Sequence, residues 1–251
     1  MKSWEKEIEK ISDDSVNGAT FLTKKAVEIV KNIENSEDLH SALKLLKIAQ
    51  PMMASIYNFA LFIENNMDKD IKKLCDKWWE DFEKSNEKVI KKAAKLLENR
   101  TILTHSFSSL VYKSIIDSKN VKVYCTVSEP KREGTQLAKK LCENGIDTTL
   151  VTDAAAPHFV NEVDMVVFGA DGVGGFGLVH KVGSYPIALA AKDQNKKVYS
   201  LAPKTKFWPK KFKKPPIDLK DPLEIEKNCF KVKNIYFDIT PIYLIDLFIT
   251  D

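Results

Sequence analysis

The chain has 251 residues, 44% of them hydrophobic and 29% charged, with a formal net charge of +4. Those values fit a soluble globular chain of one or two domains with a sizeable core, and so small a net charge gives no bulk argument for a nucleic-acid partner. No apolar run reaches the ~18–20 residues a membrane helix needs. The opening MKSWEKEIEKISDD has neither the apolar stretch nor the small-residue cleavage site of a secretory signal. Cys75, Cys125, Cys142 and Cys229 lie far apart with no C-x-x-C pair, so the expectation is a reducing cytoplasm, free thiols and no metal centre.

The first hundred residues read as helical. Leu22, Ala26, Ile29 and Val30 recur at helix spacing after Asn17-Gly18. A second helix carries Leu43, Leu45, Leu46 and Ile48 and stops before Pro51, and a third carries Ile56, Phe59, Ala60 and Phe62. The strongest stripe is Ile71, Leu74, Cys75, Trp78, Phe82, Val89, Ala93 and Leu97, a packing face interrupted at Asn86, where a bend is expected.

From residue 101 the pattern becomes strand, turn, helix. Strands are expected at Thr101–Leu103, Val121–Val127, Thr148–Thr152, Met165–Phe168, Lys197–Leu201 and Ile235–Asp238. Helices are expected at Phe107–Asp117, Glu133–Asn144, Pro157–Glu162 and Tyr185–Asp193, with a final one after Thr240-Pro241. This alternation predicts an α/β fold: an N-terminal helical domain over 1–98, then a Rossmann-like domain over 99–251 whose mostly parallel sheet is covered by helices on both faces.

Three places offer chemistry. Gly169-Ala170-Asp171 ends an apolar strand, a glycine-rich turn follows, and Lys181 precedes a Gly183-Ser184 helix entry. One carboxylate and one ammonium thus sit at the carboxyl end of a strand beside a helix N-terminus, the edge where open α/β sheets bind ligands and where anions are favoured. The glycines do not follow G-x-G-x-x-G after a first strand, which argues against a dinucleotide, and no cofactor is expected. Thr104-His105-Ser106 ends the first strand. Ser106 reads either as a ligand contact or as a plain helix cap, and His105 as an acid–base group or a hydrogen-bonded structural residue. The loop KTKFWPKKFKK over Lys204–Lys214 has six lysines, no acid and three interleaved aromatics. It reads as a solvated connection or, secondarily, as an RNA contact.

ILTHSFSSLV, VSEPKREGTQLAKKL, GADGV with LVHKVGSYPIALAAK, and FDITPIYLIDLFITD resemble the family of translation initiation factor 2B alpha, beta and delta subunits. That family includes methylthioribose-1-phosphate and ribose-1,5-bisphosphate isomerases. VNGATFLTKKAVE and PMMASIYNFALFI resemble its archaeal members. The resemblance implies a homodimer and ligand contacts at Gly18, Ala19, His105, Ser106, Gly169, Ala170, Asp171, His180, Lys181 and Lys206.

The departures matter. The isomerases' cysteine is Ser106 here, a far weaker acid. Their phosphate-binding arginine is Glu129, which would repel a phosphate, and their asparagine before the lysine is His180. The first expectation is therefore a regulatory, non-catalytic subunit. It would bind initiation factor 2 through its alpha subunit, or other 2B-like subunits, with a sugar phosphate or nucleoside monophosphate in the cleft. The alternative is an aldose–ketose isomerase on a phosphorylated ribose, with Asp171 and Ser106 as catalytic residues.

Overall fold

The structure, a computed structural model, describes residues 2–215, 218–226 and 230–251. Cys229 lies outside the described residues. Five helices open the chain: α1 (Ser3–Asp13), α2 (Ala19–Lys31), α3 (Ser36–Ala49), α4 (Ala54–Glu64) and α5 (Ile71–Leu97). Asn35 starts α3 by accepting hydrogen bonds from the N–H groups of Glu37 and Asp38, and Asp70 does the same for α5 through Lys73. The helical stripes pack as one core from Ile8 to Phe82, with Trp78 between Phe59 and Phe82 at centroid distances of 4.9 and 5.2 Å. Leu45 and Ile48, however, face outward. α5 runs as one unbroken helix through Asn86, with neither proline nor glycine near it.

α5 serves two cores. Cys75, Trp78 and Phe82 belong to the helical one, while Val89, Ile90, Ala93 and Leu97 pack beneath the sheet. The expected boundary at 98/99 falls just past its end.

The sheet has six parallel strands: β1 (Thr101–Thr104), β2 (Lys122–Thr126), β3 (Asp147–Val151), β4 (Met165–Phe168), β7 (Lys197–Leu201) and β11 (Leu247–Ile249), in the order β11-β7-β4-β1-β2-β3. Strand alternation sends Ile102 and Val167 to one face, with α5, α6 (Ser109–Ile116) and α7 (Glu133–Glu143). Leu103 and Val166 go to the other, with α8 (Ala156–Phe159) and α9 (Ser184–Asp193). The chain builds outward from β1 through β2 to β3, then returns to β4 on the opposite side of β1. The strand order therefore reverses between β1 and β4, which opens a crevice at their carboxyl ends.

Three expectations change. The glycine-rich turn is a hairpin of β5 (Gly172–Gly174) and β6 (Gly177–Lys181), joined antiparallel to β10 (Phe237–Thr240). A Cβ on Gly172 would lie 2.2 Å from the Trp208 ring, so glycine there makes room for the indole. The strand expected at Ile235–Asp238 is split. Its start is β9 (Asn234–Ile235), paired with β8 (Leu219–Lys220), and its end is β10; neither enters the parallel sheet. Beyond Pro241 there is only a 3₁₀ turn, Ile242–Leu244, before β11.

Candidate functional site

Where the strand order reverses, the segments after β1 and β4 face one cavity of about 520 Å³. Gly18, Ala19, Ser106, Ala170, Asp171, His180, Lys181 and Lys206 all line it. His105 and Gly169 do not: they stand in the wall behind.

After β4, the backbone of Asp171 is pinned on both sides. Its N–H donates to Val179 O at 3.0 Å, and its C=O accepts from Ala54 N–H at 2.9 Å. Its carboxylate has no hydrogen-bond partner among the described residues. The glycine hairpin is therefore held by strand pairing and not by that side chain. Burial pushes the Asp171 carboxyl up to about 6, against the pull of the neighbouring Lys206 and Lys181 ammonium groups. Lys206 is buried and donates to Ala170 O, and burial lowers its pKa.

The two buried histidines differ. His105 Nε2 lies 2.7 Å from Val182 O, which only accepts, so Nε2 carries the proton; Nδ1 accepts from Thr126 Oγ1 at 2.6 Å. Burial lowers its pKa to about 4. Gly183, at φ +109°, stays clear of this ring: a Cβ there would lie 2.8 Å from Nε2. At His180, Ser184 Oγ spends its proton on Lys181 O at 2.7 Å and so accepts from His180 Nδ1–H at 2.9 Å. His180 Nε2 is left as an acceptor with no partner among the described residues, and burial holds the ring neutral.

Ser106 is not the helix cap. Ser108 caps α6, accepting from Val111 N–H. Ser106 sits in the left-handed region at φ 67°. Its N–H donates to Ser128 Oγ at 2.8 Å and its hydroxyl donates to Glu133 Oε1 at 3.3 Å. Gly169 packs against Ser108, whose Cβ would meet a Gly169 Cβ at 2.5 Å. Glu129 points outward, 58% exposed, in an ion pair with Arg132 at 3.7 Å. It does not line the cavity, so the expected repulsion of a phosphate by Glu129 does not arise there.

Among the lining residues that the sequence did not single out are Glu133, Lys220 and Tyr236. Glu133 opens α7 and pairs with Lys181 at 2.9 Å. Its position at a helix start after a strand was a usable signal. Lys220 and Tyr236 arrive from β8 and the end of β9, far along the chain, with no local signature. In all, seven lysines and three carboxylates line the cavity, a cationic excess suited to an anion.

The lysine-rich loop is fastened. Trp208 stacks on Phe212 at 4.9 Å and lies 5.6 Å from Phe176. The Asn58 amide donates to Thr205 O and Phe207 O at 2.8 and 2.9 Å. Its aromatics are therefore spent on packing, which corrects the expectation of a solvated connection; Lys204, Lys210, Lys211, Lys213 and Lys214 remain exposed. Among the described residues Cys75, Cys125 and Cys142 are free thiols. Among the described residues no group of three or more metal-ligating side chains occurs, and no helix is long and apolar enough to cross a membrane.

The chain is similar to the ribose 1,5-bisphosphate isomerase of Methanocaldococcus jannaschii, at 30% identity over 97% of this chain and 88% of that one. It is also similar to a Pyrococcus furiosus protein named for subunit 2 of translation initiation factor eIF-2B, at 30% identity over 93% and 89%. Among solved structures, translation initiation factor eIF-2B of Pyrococcus horikoshii OT3 superposes with a TM-score of 0.90 and 27% identity, covering 100% of this chain and 95% of that one. With a family model matching residues 11–251, the chain belongs to the initiation factor 2 subunit family.

Proposed function

We propose that the cavity binds a phosphorylated ribose and that the chain acts on it as an aldose–ketose isomerase. The observation that carries this reading is Asp171. It is a carboxylate without a hydrogen-bond partner among the described residues, on the wall of a cationic cavity, with its pKa raised to about 6. A base for carbon-bound protons works best with a pKa near the working pH. An ordinary structural aspartate would have its oxygens occupied. In this reading the ring opens as the C1–O4 bond breaks, Asp171 takes the proton from C2 and returns it to C1, and the proton of the C2 hydroxyl ends on O4, which leaves a ketone at C2. The His180 Nε2 lone pair accepts from a sugar hydroxyl. The N–H groups of Ala19 and Thr20, at the start of α2 and without a partner among the described residues, receive a phosphate together with the Lys181 ammonium. At an effective dielectric near 20, one ammonium about 4 Å from a unit negative charge is worth about 4 kcal/mol before desolvation. Similarity to an isomerase named for ribose 1,5-bisphosphate supports the same substrate class.

The test is to incubate the protein with ribose 1,5-bisphosphate and follow the ketose signal by ¹³C NMR. Turnover that Asp171→Asn abolishes, with binding still measurable, is the expected result. Binding without turnover in the wild type would sink the isomerase.

One observation favours a second reading. Ser106 replaces the cysteine that the family resemblance implies, and its hydroxyl is tied to Glu133. With the likeness to eIF-2B, this supports a regulatory subunit that senses the sugar phosphate while binding initiation factor 2 or another 2B-like subunit. Co-purification with initiation factor 2, at low salt and without turnover, would support that reading.

A further inference from the structure

One helix grips both Asp171 and the turn that carries Lys206. At the start of α4, Ala54 N–H donates to Asp171 O at 2.9 Å. One turn on, the Asn58 side-chain amide donates to Thr205 O at 2.8 Å and to Phe207 O at 2.9 Å, the carbonyls on either side of Lys206. Carbonyls only accept, so the amide nitrogen must face them. Residues four apart share a helix face, so α4 presents its two grips side by side.

Lys206 needs such a grip. It is 4% exposed, and its ammonium donates to Ala170 O, one residue before Asp171. A buried ammonium gives up its hydration, and the 3₁₀ turn Lys204–Lys206 that carries it is too short to be rigid by itself. Asn58 is half-buried and does not line the cavity, so its effect on a ligand passes through what it holds.

The charges around Asp171 make the placement of Lys206 matter. Lys206 faces the carboxylate from the turn after β7, Lys181 from β6 and Glu133 from the start of α7. His180, also on β6, is held neutral by burial. Lys181 pairs with Glu133 at 2.9 Å, and those two charges offset each other. Lys206 therefore supplies the main pull that keeps a desolvated carboxyl able to ionise.

We infer that Asn58 is a positioning residue for the reaction: its grip on the Lys206 turn sets the ammonium against Asp171, and α4 of the helical domain is the mount that keeps the two aligned. The inference rests on the reading of Asp171 as the base and adds what holds that base in its working state.

The experiment follows the Asp171 carboxyl by ¹³C NMR in protein labelled at the aspartate carboxyl carbons, with the signal assigned by its loss in Asp171→Asn. It needs no substrate. Asn58→Leu keeps the bulk and removes both donors. It is expected to raise the titration midpoint by about 0.5 pH unit or more, because the ammonium is freed to move away. Lys206→Met should raise it at least as far. In the Lys206→Met background, Asn58→Leu should add nothing, since residues that act as one unit are not additive. The acidic limb of kcat/KM on ribose 1,5-bisphosphate should move with the titration. Gln194→Leu, which removes the amide grip on Pro157 O, controls for lost stability alone and leaves the midpoint in place. Should Asn58→Leu not fold, Asn58→Ser, which cannot span both carbonyls, is expected to move the midpoint in the same direction. An unchanged or lowered midpoint in the folded variant overturns the inference, and so does a full further rise in the Lys206→Met background. A wild type that titrates as expected but turns over no ribose 1,5-bisphosphate removes the isomerase reading and leaves the grip on Lys206 standing.

Discussion

The segments after β1 and β4 reach the same crevice and are built to opposite ends. After β1 nearly every polar group is spent inside the protein: both His105 nitrogens, the Ser106 N–H and hydroxyl, and the Ser108 cap. After β4 and its hairpin, the backbone is equally well tied, yet the Asp171 carboxylate and the His180 Nε2 have no partner among the described residues. Buried polar groups are ordinarily satisfied. The β4 side therefore stores unsatisfied capacity that a ligand can complete, while the β1 side supplies the rigid frame.

That contrast can be broken at several points. The largest effect is expected at Asp171: Asp171→Asn should lower kcat by about 10³-fold or more, in the range for loss of a general base, with the fold intact by circular dichroism. Next comes His105→Ala, which leaves Thr126 and Val182 without their partner in a dry site. It should cost about 3 kcal/mol, a fall in Tm of about 6 °C or more for a chain this size. If His105→Ala instead keeps its Tm and loses ligand binding, the division between frame and site is wrong.

The pH dependence of stability sharpens the comparison. Asp171 has a folded pKa of about 6, above the ordinary 3.8. Its contribution is fully present below about pH 4 and is lost as pH rises through 6. Asp171→Asn lacks this term, so its stability relative to wild type should rise by about 2 kcal/mol between pH 4 and 7. Paired denaturant melts at the two pH values measure it. A flat difference would mean that the carboxyl is not desolvated.

The smallest effects are expected at His180 and its partner Ser184. His180→Phe keeps the ring and removes the acceptor, so it should weaken binding of ribose 1,5-bisphosphate by about tenfold, the worth of one hydrogen bond. Ser184→Ala, which frees the tautomer, should weaken it less.

Much of this was legible in the chain. Alternation of short apolar strands with helices fixes the parallel sheet, and the strand-end position of Asp171 marks the crevice. The hairpin at Gly172–Lys181 was hidden because four glycines in six residues read as a turn, whereas Gly172 makes room for the Trp208 ring and Gly177 for the backbone of Thr240. Ser106 and Ser108 are indistinguishable as caps by composition; only the backbone shows which one starts α6. The helix expected after Thr240-Pro241 is reduced to the 3₁₀ turn Ile242–Leu244, and the chain then pairs Leu247–Ile249 with β7 at the sheet edge, a long-range pairing that no local pattern encodes. Tyr236 and Lys220 join the cavity through pairings distant in sequence, which no local pattern encodes.

The central claim is that the β4 side awaits a phosphorylated ribose, and the most direct test is thermal unfolding of the wild-type protein with and without ribose 1,5-bisphosphate. Because the ligand binds only the native state, a concentration of 100 times Kd should add about 2.7 kcal/mol and raise Tm by several degrees, an increase that Asp171→Ala together with Lys181→Ala removes. An unchanged Tm at millimolar ligand, or an equal rise in that double variant, would contradict the account.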